Sequence, residues 1–253
     1  MTPDGRHRVP HEVLHAVRPD AGTAVLVLHG FTGGPASVMP LARTLSAQGH
    51  SVVVPLLPGH GTRWQDLNRT AYSQWLDAAM AAYDELAGTH SRVFVAGLSA
   101  GGALALEIAV RRTGVAGLVL INPAVELSAK GLRLLGVLKL LLPSVRAIGD
   151  DIARPGVSEH AYPRTPLRAL HSLVRGLALL RQRLWRVTVP VLLFSSATDH
   201  VVPTASSDRV WRDIRSVHKA RVVLRRSLHV ATLDYDADEI HRRTISFVES
   251  GRP

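Results

Sequence analysis

Five residues, Gly97-Leu98-Ser99-Ala100-Gly101, have the types and spacing of a nucleophile set on a sharp turn. A serine hydroxyl attacks an acyl carbonyl only if it stands clear of the backbone, has a base for its proton and has donors for the oxyanion that forms. The pattern G-x-S-x-G meets the first need when a strand precedes it and a helix follows. Residues 93–96 are too few for a helix and rich enough in β-formers for a buried strand, and residues 103–110 read as a buried helix. Gly97 and Gly101 leave room for a strained turn at Ser99, and Gly102 lets the helix approach the neighbouring strand. The helix N-terminus brings free N–H groups to the place where negative charge would develop.

The base and its orienting acid must come from elsewhere in the chain. Asp199 follows the apolar run 191–195, and His229 lies in Ser227-Leu228-His229-Val230, just after a short strand at 221–224. Serine, aspartate, histidine is one of the chain orders in which such triads recur. Asp234 and Asp236 compete for the acid's place by their closeness to His229, but neither directly follows a strand. Of the thirteen histidines, His29 and His60 sit in glycine-rich patterns and read as loop-fixing, while His200, beside Asp199, reads as structural. The oxyanion hole is expected from the backbone N–H groups of Ala100 and Phe31, each worth about 3 kcal/mol in the transition state.

These loops need a frame that brings them to one edge. Continuous β-rich runs at 23–28, 51–54, 93–96, 117–121 and 189–195 alternate with helical stretches, the clearest at 73–86 and 237–249, and residues 13–17 add a short edge strand. The pattern predicts an α/β fold, a mostly parallel central sheet with helices on both faces, and a site beyond the carboxyl ends of its strands. Residues 1–253 read as a single domain, and segment 122–187, which breaks the alternation, reads as an inserted, mainly helical cap. Within the cap, residues 132–142 are apolar nearly all round. They suit a helix buried against the cap or a partner, an acyl-chain wall that includes Leu134 and Leu138, or a lipid-touching tip framed by Lys130, Arg133 and Lys139. Glu159 is one of four cap acids; it either hydrogen-bonds the alcohol part of a substrate or pairs with a cap arginine at the surface.

Composition narrows the classes. The chain has 253 residues and a formal net charge of +10, and residues 124–186 carry 11 Lys/Arg against four Asp/Glu. This reads as an arginine-rich solvated surface or as weak attraction to anionic lipid; few aromatics are interleaved and no nucleic-acid motif occurs, so nucleic acid is not an expected partner. With no cysteine, disulfides, a catalytic thiol and thiolate metal sites are excluded. Residues 1–10 lack the apolar core of a signal peptide and no run reaches membrane-spanning length, so a cytoplasmic protein is expected.

Five blocks together carry a resemblance: His29-Gly30-Phe31-Thr32-Gly33, Leu57-Pro58-Gly59-His60-Gly61-Thr62, Gly97 to Gly102, Asp199-His200-Val201-Val202-Pro203 and His229 to Asp236. The chain resembles the α/β-hydrolase superfamily, and within it the bacterial monoacylglycerol lipases and related small thermostable carboxylesterases. The last block and the Ala161-Tyr162, Thr165-Pro166 pairs of the cap are especially like the former. The resemblance implies a serine esterase with a Ser99–His229–Asp199 triad, Phe31 and Ala100 as oxyanion donors, a small acyl ester such as a monoacylglycerol as substrate, and no metal or organic cofactor. Ala100, where relatives often carry a larger residue, implies a wider acyl pocket. A thioesterase, an acyltransferase or a non-catalytic binding member of the fold is the alternative reading.

Overall fold

The computed structural model describes residues 13–127 and 134–253. The expectations for residues 1–10 and for Lys130, Leu132 and Arg133 lie outside the described residues.

The chain runs β1 (Leu14–Ala16), β2 (Thr23–Leu28), α1 (Met39–Ala47), β3 (Ser51–Val54), α2 (Trp64–Leu67), α3 (Tyr72–Ala87), β4 (Arg92–Leu98), α4 (Ala100–Arg111) and β5 (Val115–Ile121). After an excursion it returns through β8 (Val191–Ser196), α7 (Thr204–Asp213), β9 (Lys219–Leu224) and α8 (Ala237–Ser250). A seven-stranded sheet has the order β1-β3-β2-β4-β5-β8-β9, parallel throughout except for β1, which pairs antiparallel with β3 at one edge. The strand ends are nearly level: Leu28 pairs with Gly97, Leu98 with Ile121, and Ile121 with Phe194. The loops that follow β2, β4, β8 and β9 therefore leave the sheet at the same edge.

The strands are apolar on both faces because both faces are covered. In β2, Ala24, Leu26 and Leu28 join a core with Trp75, Leu86 and Leu104, while Val25 and Val27 join a second core with Leu41, Leu45 and Phe247. The periodic face of α3, with Tyr72, Trp75, Leu76, Ala79, Tyr83 and Leu86 buried, is what packs it on the sheet. Its start is fixed by the Gln74 side chain, whose oxygen accepts the Ala71 N–H at 2.9 Å.

The excursion between β5 and β8 contains α5 (Leu135–Leu141), an antiparallel ribbon of β6 (Ser144–Arg146) and β7 (Arg164–Pro166), and α6 (Leu167–Arg181). Leu173, Leu177 and Leu180 of α6 are continuous with the first core. The α6 backbone lies so close to α3 that a Cβ on Gly176 would fall 2.1 Å from the Tyr72 ring. The ribbon and the long irregular stretch 147–163 add to the expected helices. Among the described residues no helix is long and apolar enough to cross a membrane.

Candidate active site

The turn at Ser99 has the predicted form. Ser99 sits between β4 and α4 with φ 55° and ψ −118°, a conformation that L-residues rarely adopt. The strain is held by three backbone hydrogen bonds: the Ser99 N–H donates to Ile121 at 2.9 Å, and the Ser99 carbonyl accepts from Ala103 at 3.2 Å and Ala124 at 3.0 Å. The flanking glycines are required by contact. A Cβ on Gly97 would fall 2.3 Å from the Gly101 carbonyl oxygen, and one on Gly101 would fall 2.2 Å from that of Leu28.

His229 and Asp199 meet as expected. The His229 Nδ1 lies 2.7 Å from Asp199 Oδ2, and both side chains are buried. A carboxylate only accepts, so Nδ1 carries the proton and Nε2 is left with its lone pair. The second Asp199 oxygen accepts the N–H groups of Val201 at 2.9 Å and Val202 at 2.7 Å, which fixes the carboxylate before α7 begins. Asp234 and Asp236 do not touch the imidazole. Asp234, fully buried, accepts N–H groups from Ala153, Arg154, Leu228 and Tyr235 at 2.7–3.0 Å. Asp236 accepts from the Arg226 N–H and pairs with the Arg226 guanidinium at 3.2 Å.

Ser99 and His229 line one cavity of about 230 Å³ together with Gly30, Phe31, Ala100, Glu159 and an apolar wall of Leu127, Val145, Ile148, Leu170, Leu173 and Val202. The loop after β2 passes directly against the serine, since a Cβ on Gly30 would lie 3.4 Å from Ser99 Cβ. Among the described residues neither the Phe31 nor the Ala100 N–H has a hydrogen-bond acceptor. Two donors are thus free beside the candidate nucleophile. His29 and His60 are the loop fixers. His29 Nδ1 donates to the Gly30 carbonyl at 3.0 Å and its Nε2 accepts the Leu57 N–H at 3.3 Å, while burial lowers its pKa to about 4 and keeps it neutral. The His60 ring stands edge-on to His29 at 4.8 Å, and burial holds it well below its ordinary value too.

Glu159 lines the cavity and makes no ion pair among the described residues. One of its oxygens lies 2.8 Å from where a Cβ on Gly33 would stand, and the other accepts the Asp150 N–H at 3.4 Å. Burial pushes its carboxyl up, and the facing His229 opposes the shift. Leu134 and Leu138 are not among the residues that line the cavity: Leu134 is exposed and Leu138 half-buried at α5, because α5 turns only Leu135 inward. The apolar wall comes instead from Val145 of the ribbon, Leu170 and Leu173 of α6, and Leu127, Ile148 and Val202 of the intervening loops.

Two residues around His229 escaped the sequence reading. Asn122, at the carboxyl end of β5 with φ 44°, donates from Nδ2 to the His229 carbonyl at 2.8 Å and to Ser196 Oγ at 2.9 Å. Its place after a strand end was a usable signal. Asp151, in the excursion, accepts the His229 N–H at 3.1 Å, and nothing local in the sequence marks it.

The family model described as "Serine aminopeptidase, S33" matches residues 19–236. The chain belongs to this family of serine hydrolases, and its fold is the α/β-hydrolase fold. Among the relatives of this serine hydrolase is the thermostable monoacylglycerol lipase of Bacillus sp. (strain H-257), 41% identical over 225 residues, which are 88% of this chain and 89% of that one. A carboxylesterase of Bacillus subtilis (strain 168) is 26% identical over 89% of this chain and 92% of its own. A solved structure from a study of LipS and LipT, two metagenome-derived lipolytic enzymes, superposes with a TM-score of 0.90 at 36% identity, covering 94% of this hydrolase and 97% of that chain.

Proposed function

We propose that this hydrolase cleaves monoacylglycerols to glycerol and fatty acid through an acyl-enzyme on Ser99. His229 Nε2 takes the Ser99 proton as Oγ attacks the ester carbonyl, and Asp199 holds the imidazole and stabilises its charged form. The Phe31 and Ala100 N–H groups receive the oxyanion. His229 then protonates the departing alcohol, and water, deprotonated by the same nitrogen, releases the acid. The observation that carries the reading is the Asp199–His229 hydrogen bond at 2.7 Å, with His229 and Ser99 lining one mostly apolar cavity. The cavity, at about 230 Å³, is smaller than most small-molecule sites, and so narrow a space suits one acyl chain better than two or three. Likeness to the thermostable monoacylglycerol lipase supports the same substrate. No step calls on a metal or organic cofactor.

Segment 122–187 acts in this reading as a cap, with Glu159 offering its carboxyl to the glycerol hydroxyls. The exposed leucines of α5 and the exposed Val145 and Ile148, which also line the cavity, form an apolar rim for weak contact with a lipid surface in the cytoplasm. A general carboxylesterase is the second reading, favoured by the 26% identical carboxylesterase.

Purified protein assayed on mono-, di- and triacylglycerols and on p-nitrophenyl esters tests the reading, with Ser99→Ala as blank. Turnover of monoacylglycerols far above that of diacylglycerols is expected. Equal rates on all esters would leave the general carboxylesterase. Glu159→Ala should raise KM for monoacylglycerol and leave that for p-nitrophenyl esters unchanged; an equal effect on both removes the glycerol contact.

A further inference from the structure

The proposed acid and base arrive on separate loops, one after β8 and one after β9, and something must keep the loops in register. On the sheet side Asn122 and Ser196 do this: Asn122 holds the His229 carbonyl, and Ser196 Oγ donates to the Leu228 carbonyl at 2.8 Å. On the opposite side a single carboxylate spans both loops. Asp151 is buried; its Oδ2 accepts the His229 N–H and the His200 N–H, both at 3.1 Å, and its Oδ1 takes a hydrogen bond from the His200 ring at 2.7 Å. Its own carbonyl accepts the Val230 N–H at 3.1 Å. His200 directly follows Asp199, so Asp151 grips the residue beside the acid and the base itself. Asp234 in turn ties Ala153 and Arg154 to Leu228, which fixes the stretch that carries Asp151 against the His229 loop.

We infer that Asp151 is a positioning residue that sets the relative placement of Asp199 and His229 through their main chains. It does not line the cavity, so it contributes nothing to substrate contact. What it supplies is geometry: a displacement of about 1 Å between reacting groups is enough to cost about 100-fold in rate. Three N–H donors converge on two oxygens here, which is why a carboxylate suits the position and an apolar residue would strand the buried His229 amide and the partly buried His200 amide. The inference rests on the triad reading of the preceding subsection.

The test uses the full chain and a p-nitrophenyl ester, with Ser99→Ala and His229→Ala alongside. Asp151→Ala should lower kcat by about 10- to 100-fold with KM within about twofold of the parent. Asp151→Asn, whose side-chain oxygen can still accept both main-chain amides, should recover kcat to within about fivefold of the parent. His200→Ala keeps its main-chain N–H and should stay within about threefold. The far-downfield proton resonance of the Asp199–His229 hydrogen bond should move or vanish in Asp151→Ala and persist in Asp151→Asn. Parent-like kcat in Asp151→Ala overturns the inference, as does a loss confined to KM or a loss equally deep in the asparagine variant. If Asp151→Ala is not recovered folded, Asp151→Ser, too short to reach both amides, is judged by the same split. Activity surviving in Ser99→Ala or His229→Ala overturns the triad reading instead.

Discussion

At the scale of single residues, the proposed chemistry turns on which proton sits on which nitrogen. The Asp199 carboxylate forces the His229 proton onto Nδ1, which leaves the Nε2 lone pair for the base role proposed above. Asp199→Asn keeps the shape and reverses the tautomer, so kcat should drop by about 10⁴-fold with little change in melting temperature, measured by steady-state kinetics and calorimetry. His29 meets the opposite electrostatic demand, since it must stay neutral. Its folded pKa of about 4 lies below the ordinary 6.5, so between these values the unfolded chain binds a proton that the folded chain refuses. Its contribution is complete above pH 6.5 and falls away as pH drops toward 4, by about 3 kcal/mol at the lower limit. Urea unfolding at pH 7 and pH 5 should show part of this loss, and the His29 ring nitrogens should not titrate in that interval by NMR. His60 pushes in the same direction.

At the scale of elements, the turn between β4 and α4 is possible only because two backbones nearly touch. Gly101→Ala would drive a methyl group into the Leu28 carbonyl, so it should destabilise the fold by about 3 kcal/mol or more and abolish turnover, read by thermal melts and ester hydrolysis together. This element was legible in the sequence because each of its parts is local: a β-rich run, glycines at fixed offsets, and a small-residue helix. The core strands were legible for the same reason, and the ends of α3 and α8 fell within two residues of expectation. What escaped is what only long-range contact decides. The helix α7 is polar and buries only Val210 among its apolar residues, and the ribbon β6–β7 pairs residues eighteen to twenty-two apart. Asn122 and Asp151 meet His229 across 107 and 78 positions of chain. The apolar run at 132–142 carried the right composition for an acyl-chain wall, yet composition cannot say which way a helix faces; its described part places Leu140 and Leu141 at 72% and 74% exposure.

At the scale of the whole molecule, that exposure gathers several apolar side chains in one short stretch of the described chain. Leu134, Val137, Leu140, Leu141 and Leu142 are all exposed, as are Val145 and Ile148, which line the cavity. A replacement of Leu140 and Leu141 by serine should weaken co-sedimentation with phosphatidylglycerol vesicles by about 1–3 kcal/mol of binding free energy. Hydrolysis of a short water-soluble ester should be unchanged. Equal vesicle binding by parent and variant would remove the lipid-contact role of α5. Equal partitioning of the parent to neutral and anionic vesicles would remove only the electrostatic part, to which Lys139 and Arg146 contribute charge.

The far rim of the sheet offers a practical use. Arg92, at the first residue of β4, donates to the carbonyls of Val248 and Glu249 near the close of α8. The close of α8 therefore lies beside strand beginnings, a full strand length from Ser99. An affinity handle or resin linkage fused there would hang the molecule with its entrance pointing away from the support, so immobilised catalyst should keep access to dispersed droplets.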